Sequence, residues 1–382
     1  MLITRRSLLA GTGAALVAAC APAVSPVLPT RSAAQTLAPD LQPVPRADFS
    51  AWVARFRLRA RAAGISDATL DAAFAGAGYI PGVVARDGTQ IQTRRTLEEY
   101  LSIATSDERI AKGRAAFARH EATLRAIEDR YGVDRLIVAA IWGMESTFGE
   151  KRGAIPVVSS TATLAFDGRR GAFYESQLIA ALRILQRGDT TPERLTGSWA
   201  GAMGHTQFIP TSFESFAVDF TGDGRRDIWG DDPSDALAST ASYLARNGWR
   251  TGLKWGAEAG TGGPEGRTIQ PQAGGVRFTV TRNFNVLKTY NNSDLYALGI
   301  GHLADRIGGA GPLRGSFPPD ANGLTRDDRL ALQRGLVARG YDLGTVDGVI
   351  GARTEAAIRD FQTRQGVAVT GRATRDVLDL LR

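Results

Sequence analysis

The sequence predicts a mainly α-helical protein: a large α+β domain with one small β element, then a three-helix module at the C-terminus. Three observations lead there. Apolar residues recur at helical spacing through most of residues 47–307. The stretch from Val276 to Thr281 instead alternates with the two-residue rhythm of a strand. Gly308 to Gly323 is rich in Gly and Pro, and beyond it apolar residues gather again on three short helical faces.

Taken from the N-terminus, Arg5-Arg6 and the apolar run Leu8–Ala19 have the plan of an export signal, and the paired arginines suggest the twin-arginine (Tat) route. The run is too short to span a bilayer permanently. It ends Val17-Ala18-Ala19-Cys20; small residues before a cysteine resemble the bacterial lipobox, which makes Cys20 the expected lipidation site. Ala21 after it points to the periplasmic face of the outer membrane. Residues 1–20 are thus an address, and residues 21–46, rich in Pro, Ala, Ser and Thr, read as a tether.

Phe49, Trp52, Val53 and Phe56 then open a helix at offsets of three, four and seven. Ser66 marks a helix start and Tyr79-Ile80-Pro81-Gly82 a stop. A helix is expected from Ile110 to Tyr131, ended by Gly132. Asp134 caps a strongly apolar helix that runs through Glu145, with Gly149 placed to end it in the left-handed conformation. Short helices continue to about Asn247. Gly260 to Gly275 reads as loop, and helix returns from Asp294 to Ile307. The large domain is therefore 47–310 and the linker 311–325. The module, 326–382, has helical faces Leu330, Leu332, Leu336, Val337; Thr354, Ala357, Ile358, Phe361; and Leu378, Leu380, Leu381, with Thr354 expected to cap the second.

Composition narrows the function. Hydrophobic residues make up 43% of 382, enough for packed cores. Forty-six Lys and Arg against 39 Asp and Glu give a charge of +7, which suits an anionic partner such as lipid or the carboxylate-rich peptides of a cell wall. Basic runs interleaved with aromatics are missing, so nucleic acid is not an expected partner. Cys20 is the single cysteine, which excludes an internal disulfide and a Cys-based zinc site. The three histidines, His120, His205 and His302, are nowhere paired at ligand spacing.

Two stretches carry chemistry. In Ile141-Trp142-Gly143-Met144-Glu145-Ser146-Thr147-Phe148-Gly149 a carboxylate ends an apolar helix between aromatic residues. Burial there raises its pKa by ~3–5 units at the extreme, while the helix dipole adds ~0.3–1 kcal/mol, so desolvation dominates. A Glu tuned to ~6–7 is what a general acid needs. The second stretch, Ser198-Trp199-Ala200-Gly201-Ala202-Met203-Gly204-His205-Thr206-Gln207-Phe208-Ile209-Pro210, packs glycines with amide, hydroxyl and aromatic groups. Gln207 could donate to and accept from sugar substituents, and Phe208 offers a stacking face.

Together these stretches resemble the lytic murein transglycosylase B family, with its Trp-Gly-x-Glu and Ala-Gly-Ala-Met-Gly-x-x-Gln-Phe segments, over about Phe49–Gly308. The resemblance implies a lysozyme-like fold with a groove for peptidoglycan glycan strands. It implies cleavage of the MurNAc–GlcNAc bond without water, leaving 1,6-anhydro-MurNAc ends, by a lyase that requires no cofactor. It makes Glu145 the acid/base and puts Ser198, Gln207, Phe208, Arg169, Arg170, Tyr290, Asn291, Tyr296 and, by spacing, Tyr100 around the substrate. The chain departs from the family at His205-Thr206, where Tyr-Gly is common, and His205 is expected at the groove edge. Glycosidases generally need two carboxyl groups; one suffices here if the substrate's N-acetyl oxygen attacks the anomeric carbon. A hydrolytic muramidase and a non-catalytic wall-binding lipoprotein are the alternatives.

Asp219-Phe-Thr221-Gly-Asp223-Gly224-Arg225-Arg-Asp227 resembles the start of an EF-hand loop. Asp219, Thr221, Asp223, Arg225 and the later Asp235 form the expected ligand set of a structural calcium, with Asp231 and Asp232 as rivals. The C-terminal segment, with Asp347-Gly348 as a turn and Gly366-Val-Ala-Val-Thr-Gly371 after the second helix, resembles the three-helix peptidoglycan-binding domain. Partners are accordingly the glycan strands, the outer membrane through the lipid, and, as a further class, cell-wall synthesis proteins.

Overall fold

In the computed structural model, residues 37–88 and 95–382 are described. The paired arginines, Cys20 and the first part of the expected tether lie outside the described residues. The rest of that stretch, 37–46, is not a tether. Pro39–Leu41 is a turn of 3-10 helix, and Val44 bridges Tyr79 in antiparallel fashion. Leu37 and Leu41 pack on a small apolar cluster, and the Arg46 guanidinium lies 4.4 Å from the Tyr79 ring centre. These contacts outweigh a composition that by itself favours an unstructured chain.

Helix α1 (Ala47–Ala62) buries Phe49, Phe56 and Ala60, as the spacing predicts. Ser66 caps α2 (Asp67–Phe74) by accepting from the Thr69 amide. The Tyr79–Gly82 signal marks a start rather than a stop: Pro81 is the first residue of α3 (Pro81–Gly88), where its missing N–H costs nothing. A Thr96/Glu99 capping box opens α4 (Leu97–Ala104). The single helix expected over 110–131 is two, α5 (Asp107–Arg119) and α6 (Glu121–Tyr131), broken at His120. Gly132 ends α6 left-handed, and Asp134 caps α7 (Arg135–Ser146) at 2.7 Å from the Leu136 amide.

Strand β1 (Ile155–Pro156) leads into α8 (Val157–Asp167) and α9 (Gly171–Arg187), and pairs antiparallel with β2 (Thr196–Gly197). Then come α10 (Pro210–Phe216) and α11 (Ser234–Arg246). Strands β3 (Gly256–Glu258), β4 (Arg267–Ile269) and β5 (Phe278–Val280) form an antiparallel sheet in the order β3-β5-β4, with Gly256 and Arg267 both in register with Val280. β4 falls in the expected loop because only Ile269 of its three residues is buried, leaving no alternation to read. Helices α12 (Arg282–Tyr290) and α13 (Asp294–Ile307) complete the large domain.

Two cores result. One gathers Ile137, Ile141, Phe278, Phe284, Leu298, Ile300 and Leu303 around α7 and α13. The other gathers Phe56, Val157, Leu178, Leu182, Met203 and Phe213 around α1, α8 and α9. Tyr243 and Tyr290 pack against both and so mark the seam between them.

The module consists of α14 (Arg326–Ala338), α15 (Ala352–Arg364) and α16 (Arg375–Leu381) around Leu332, Leu336, Ile358, Phe361, Leu378 and Leu381. Val337 and Leu380 are exposed, contrary to their expected place on the inner faces. Thr354 does not cap α15; Gly351 does, and Thr354 is buried inside the helix. The module docks on α4. Arg329 and Glu98 form an ion pair with both side chains buried, and Arg326 Nε donates to Ser102 Oγ at 2.9 Å. The expected linker is packed as well: Leu313 and Phe317 cover the first core, and the Arg314 and Gly315 amides donate to the Glu258 carboxylate at 2.8 and 2.6 Å. No helix of the described residues is long and apolar enough to cross a membrane.

Candidate active site

Glu145 stands in the last turn of α7, in the first core's flank of the seam. The Tyr296 hydroxyl, from the first turn of α13, donates to its Oε1 at 2.7 Å. Desolvation pushes the carboxyl up to about 7, and only the Tyr296 hydrogen bond, which favours the charged form, opposes it. Tyr100 and Tyr290 come from α4 and α12. Burial first and the Glu145 charge second raise both phenols, Tyr100 to about 12. All three tyrosines therefore remain neutral donors at ordinary pH. The Tyr290 and Tyr296 rings lie nearly parallel, 6.4 Å apart, and Tyr290 is held by donating to the Thr206 carbonyl at 2.6 Å.

The turn after Glu145 is strained. Gly149 was expected to supply the left-handed residue, but Thr147 (φ 53°) and Phe148 (φ 58°) already adopt that conformation before Gly149 (φ 90°) does. Non-glycine residues in that region store strain that the surroundings must hold. Ser146 Oγ donates to the His205 carbonyl at 2.6 Å. Phe148 folds back over Gly143, where an added Cβ would lie 2.3 Å from its ring. That close approach is what position 143 requires of glycine.

The Gly-rich segment meets this turn from the other side. Its Gln207 is the third non-glycine residue with positive φ (55°). Gln207 Nε2 donates to the Arg152 and Gly204 carbonyls at 3.0 and 2.9 Å, which leaves Oε1, an acceptor, for a ligand. The expectation that it both donates and accepts is corrected accordingly. Ser198 Oγ accepts from the Ala202 amide at 3.1 Å and keeps its own hydrogen to donate. Phe208 offers no stacking face: it is 2% exposed, packed against Tyr243 and Tyr290. His205 is not at a groove edge. It is buried beneath α7, where its Nδ1 accepts from Trp142 Nε1 at 3.1 Å, and desolvation lowers its pKa to about 4.

Arg169 and Arg170 both bind Asp87, a buried carboxylate on α3 whose pKa these arginines lower. Both guanidinium groups are thus fixed yet still open to solvent. Asn291 ends α12 with its side chain exposed. Sequence reasoning missed Asp87, Arg152 and Tyr243. A lone Asp near a helix end and an Arg beside a glycine carry no signal until the chain folds. Tyr243 does stand at helical spacing from Ser239 and Thr240, but its packing on Phe216 and Tyr290 crosses from one helix to two others.

In the Asp219 loop, carboxylate oxygens of Asp219, Asp223 and Asp235 lie within 4.8 Å of one another, a donor set that fits a hard divalent cation. Gly224 (φ 89°) makes the turn between them. The rivals are engaged elsewhere: Asp231 pairs with Arg152, and Asp232 accepts from Ser234. Thr221 directs its hydroxyl to Asp219, and the exposed Arg225 donates its amide to Asp223.

Residues 48–266 and 261–305 match the transglycosylase SLT domain, and residues 325–381 match the peptidoglycan binding domain. The chain belongs to the SLT transglycosylase family. Among solved members, SltB3 of Pseudomonas aeruginosa, in complex with NAG-NAM-pentapeptide, is 44% identical. That match covers 87% of this chain and 99% of SltB3 with a TM-score of 0.68. The membrane-bound lytic murein transglycosylase B of Escherichia coli is 35% identical over 146 residues, 38% of this chain and 40% of that protein, so this match spans less than half of the E. coli enzyme. The E. coli lytic transglycosylase Slt35, solved in complex with calcium, shares the fold at 24% identity (67% of this chain, 92% of Slt35, TM-score 0.58).

Proposed function

We propose that the protein is a lytic transglycosylase that cleaves the MurNAc–GlcNAc bond of peptidoglycan without water and leaves 1,6-anhydro-MurNAc ends. The isolation of Glu145 carries this reading. Its carboxyl is poised at about 7, opposed by one neutral phenol, and no second carboxylate among the described residues perturbs it. Glu145 first protonates the leaving glycosidic oxygen while the substrate's acetamido oxygen attacks the anomeric carbon and the C1–O bond breaks. The resulting carboxylate then takes the C6 hydroxyl proton. O6 attacks C1, the acetamido oxygen departs, and the anhydro ring closes. Tyr296 supplies a hydrogen bond to Glu145 in its charged form between the two steps.

SltB3 has been solved with NAG-NAM-pentapeptide and with NAG-anhNAM-pentapeptide, which supports the same substrate and product class here. Mass spectrometry of digested sacculi is the test. Ends one water lighter than reducing MurNAc are expected, and exclusively reducing ends would replace the reading with a hydrolytic muramidase.

The module concentrates the enzyme on the wall. The signal-like N-terminus and the single cysteine support export and lipidation at Cys20, on the periplasmic face of the outer membrane. Palmitate labelling that persists in Cys20→Ser would refute the anchor. The three-aspartate loop supports a structural calcium, whose chemistry would be to neutralise Asp219, Asp223 and Asp235 and brace the segment that reaches Arg152.

A further inference from the structure

Removing a cation from water without a counter-charge is costly, and Arg109 of α5 is such a cation. Its Nη1 donates to the Ile103 carbonyl at 3.0 Å and approaches Met144 Sδ at 3.4 Å. Its neighbour Glu108 turns to Lys112 instead, at 3.1 Å, and Arg109 joins no ion pair among the described residues. The Nε and Nη2 hydrogens have no acceptor among the described residues, yet they are not sealed away from solvent. Half of the guanidinium is thus anchored, between the Ile103 carbonyl and the residue that precedes Glu145, and the other half is left open.

Met144, which the anchored Nη1 touches, immediately precedes Glu145 in α7. Tyr100 on α4 is within electrostatic reach of both charges: Glu145 raises its pKa and Arg109 lowers it. Arg109 forms no ion pair with Glu145, whose Oε1 accepts from the Tyr296 hydroxyl. Arg109 is therefore no counter-ion for the catalytic carboxyl. Burial lowers its own pKa from the usual guanidinium value, but a guanidinium remains charged.

We propose that Arg109 is a substrate-binding residue that takes a carboxylate of the strand through its open Nε–Nη2 edge, so that the enzyme selects acidic muramyl strands over neutral ones. The proposal rests on the transglycosylase reading. The ligand chemistry is a carboxylate close to a sugar ring, held side-on as guanidinium groups hold carboxylates elsewhere. On peptidoglycan it has two sources: the lactyl group of a peptide-free muramic acid, or the acid groups of an attached peptide.

The experiment compares wild type, Arg109→Gln and Arg109→Lys on soluble peptide-free and peptide-bearing strands, each with its carboxylates free or converted to primary amides. Strand shortening gives KM and kcat, and mass spectrometry gives the chemistry of the ends. On strands with free carboxylates, Arg109→Gln is expected to raise KM about tenfold or more with kcat within about twofold, and Arg109→Lys to recover part of it. On amidated strands wild type and Arg109→Gln should share one KM. A response on peptide-free strands identifies the lactyl group; a response confined to peptide-bearing strands identifies the peptide. An equal KM ratio on free and amidated strands, or a loss confined to kcat together with a lower Tm, would overturn the proposal and leave Arg109 as a tie between α4 and α5. Hydrolytic ends would sink the transglycosylase reading while the KM comparison still decides Arg109.

Discussion

Glu98 and Glu145 are both glutamates taken into the protein from helices, and they have opposite company. Glu98 meets Arg329, which is itself saturated by the Gly348 and Leu324 carbonyls and Asp320. Glu145 meets a phenol. A full counter-charge makes a buried carboxylate a fastener; a neutral donor leaves it able to exchange a proton near neutrality. The distinction lies in the partner and not in the glutamate or the helix.

Replacing each glutamate by its amide sharpens this contrast most. Glu145→Gln should reduce anhydro-end release by about 10²–10⁴-fold, the usual worth of a general acid/base, and should raise Tm. The sign follows from proton linkage. The folded pKa, about 7, lies above the ordinary 4.5, so the folded state binds more protons and stability falls as pH rises through that window. The gain from Gln should be negligible near pH 4 and reach no more than about 3 kcal/mol above pH 7. A Tm that drops instead would place Glu145 with Glu98.

Glu98→Gln removes one of the two counter-charges of Arg329, which keeps Asp320 and its two carbonyls, and should cost about 1.5–3 kcal/mol. Denaturant unfolding followed with a probe in the module would detect it. Combining Glu98→Met with Arg329→Met should restore most of the loss. A stable Glu98→Gln single variant would show that the docked arrangement does not depend on the pair.

The pH profile gives a smaller effect. Because the acid form starts the reaction, kcat/KM should fall as pH rises through about 7. Tyr296→Phe removes the bond that favours the charged form, so the fall should move to higher pH; a shift downward would contradict the hydrogen bond's assigned role. Smallest is the effect of chelation, expected to lower Tm by a few degrees through the Asp219 loop and to leave the nature of the product ends unchanged. An unchanged Tm would remove the calcium.

The sequence was informative wherever a local pattern decides the outcome. Caps such as Ser66 and Asp134, the helix Asp294–Ile307 and the end at Gly132 follow from short-range chemistry that the fold does not override. Its errors share a cause. Phe208 and His205 look like groove residues in a Gly-rich motif, yet packing from other helices buries them. Val337 and Leu380 fit a helical stripe whose width is set by neighbours the pattern does not contain. Residues 37–46 have the composition of a tether and the contacts of a folded edge. Arg109, Asp87 and Tyr243 act across elements far apart in the chain, where a one-dimensional pattern has nothing to say.

Helix α4 has a consequence for how such proteins can be recombined. Within one short helix, Glu98 and Ser102 grip the module's arginines while Tyr100 stands within electrostatic reach of Glu145. A chimera that exchanged the module for one lacking Arg326 and Arg329 would strand an unpaired acid half a turn from Tyr100. The module is thus inherited together with α4, and a graft succeeds only if both sides of that joint travel as one piece.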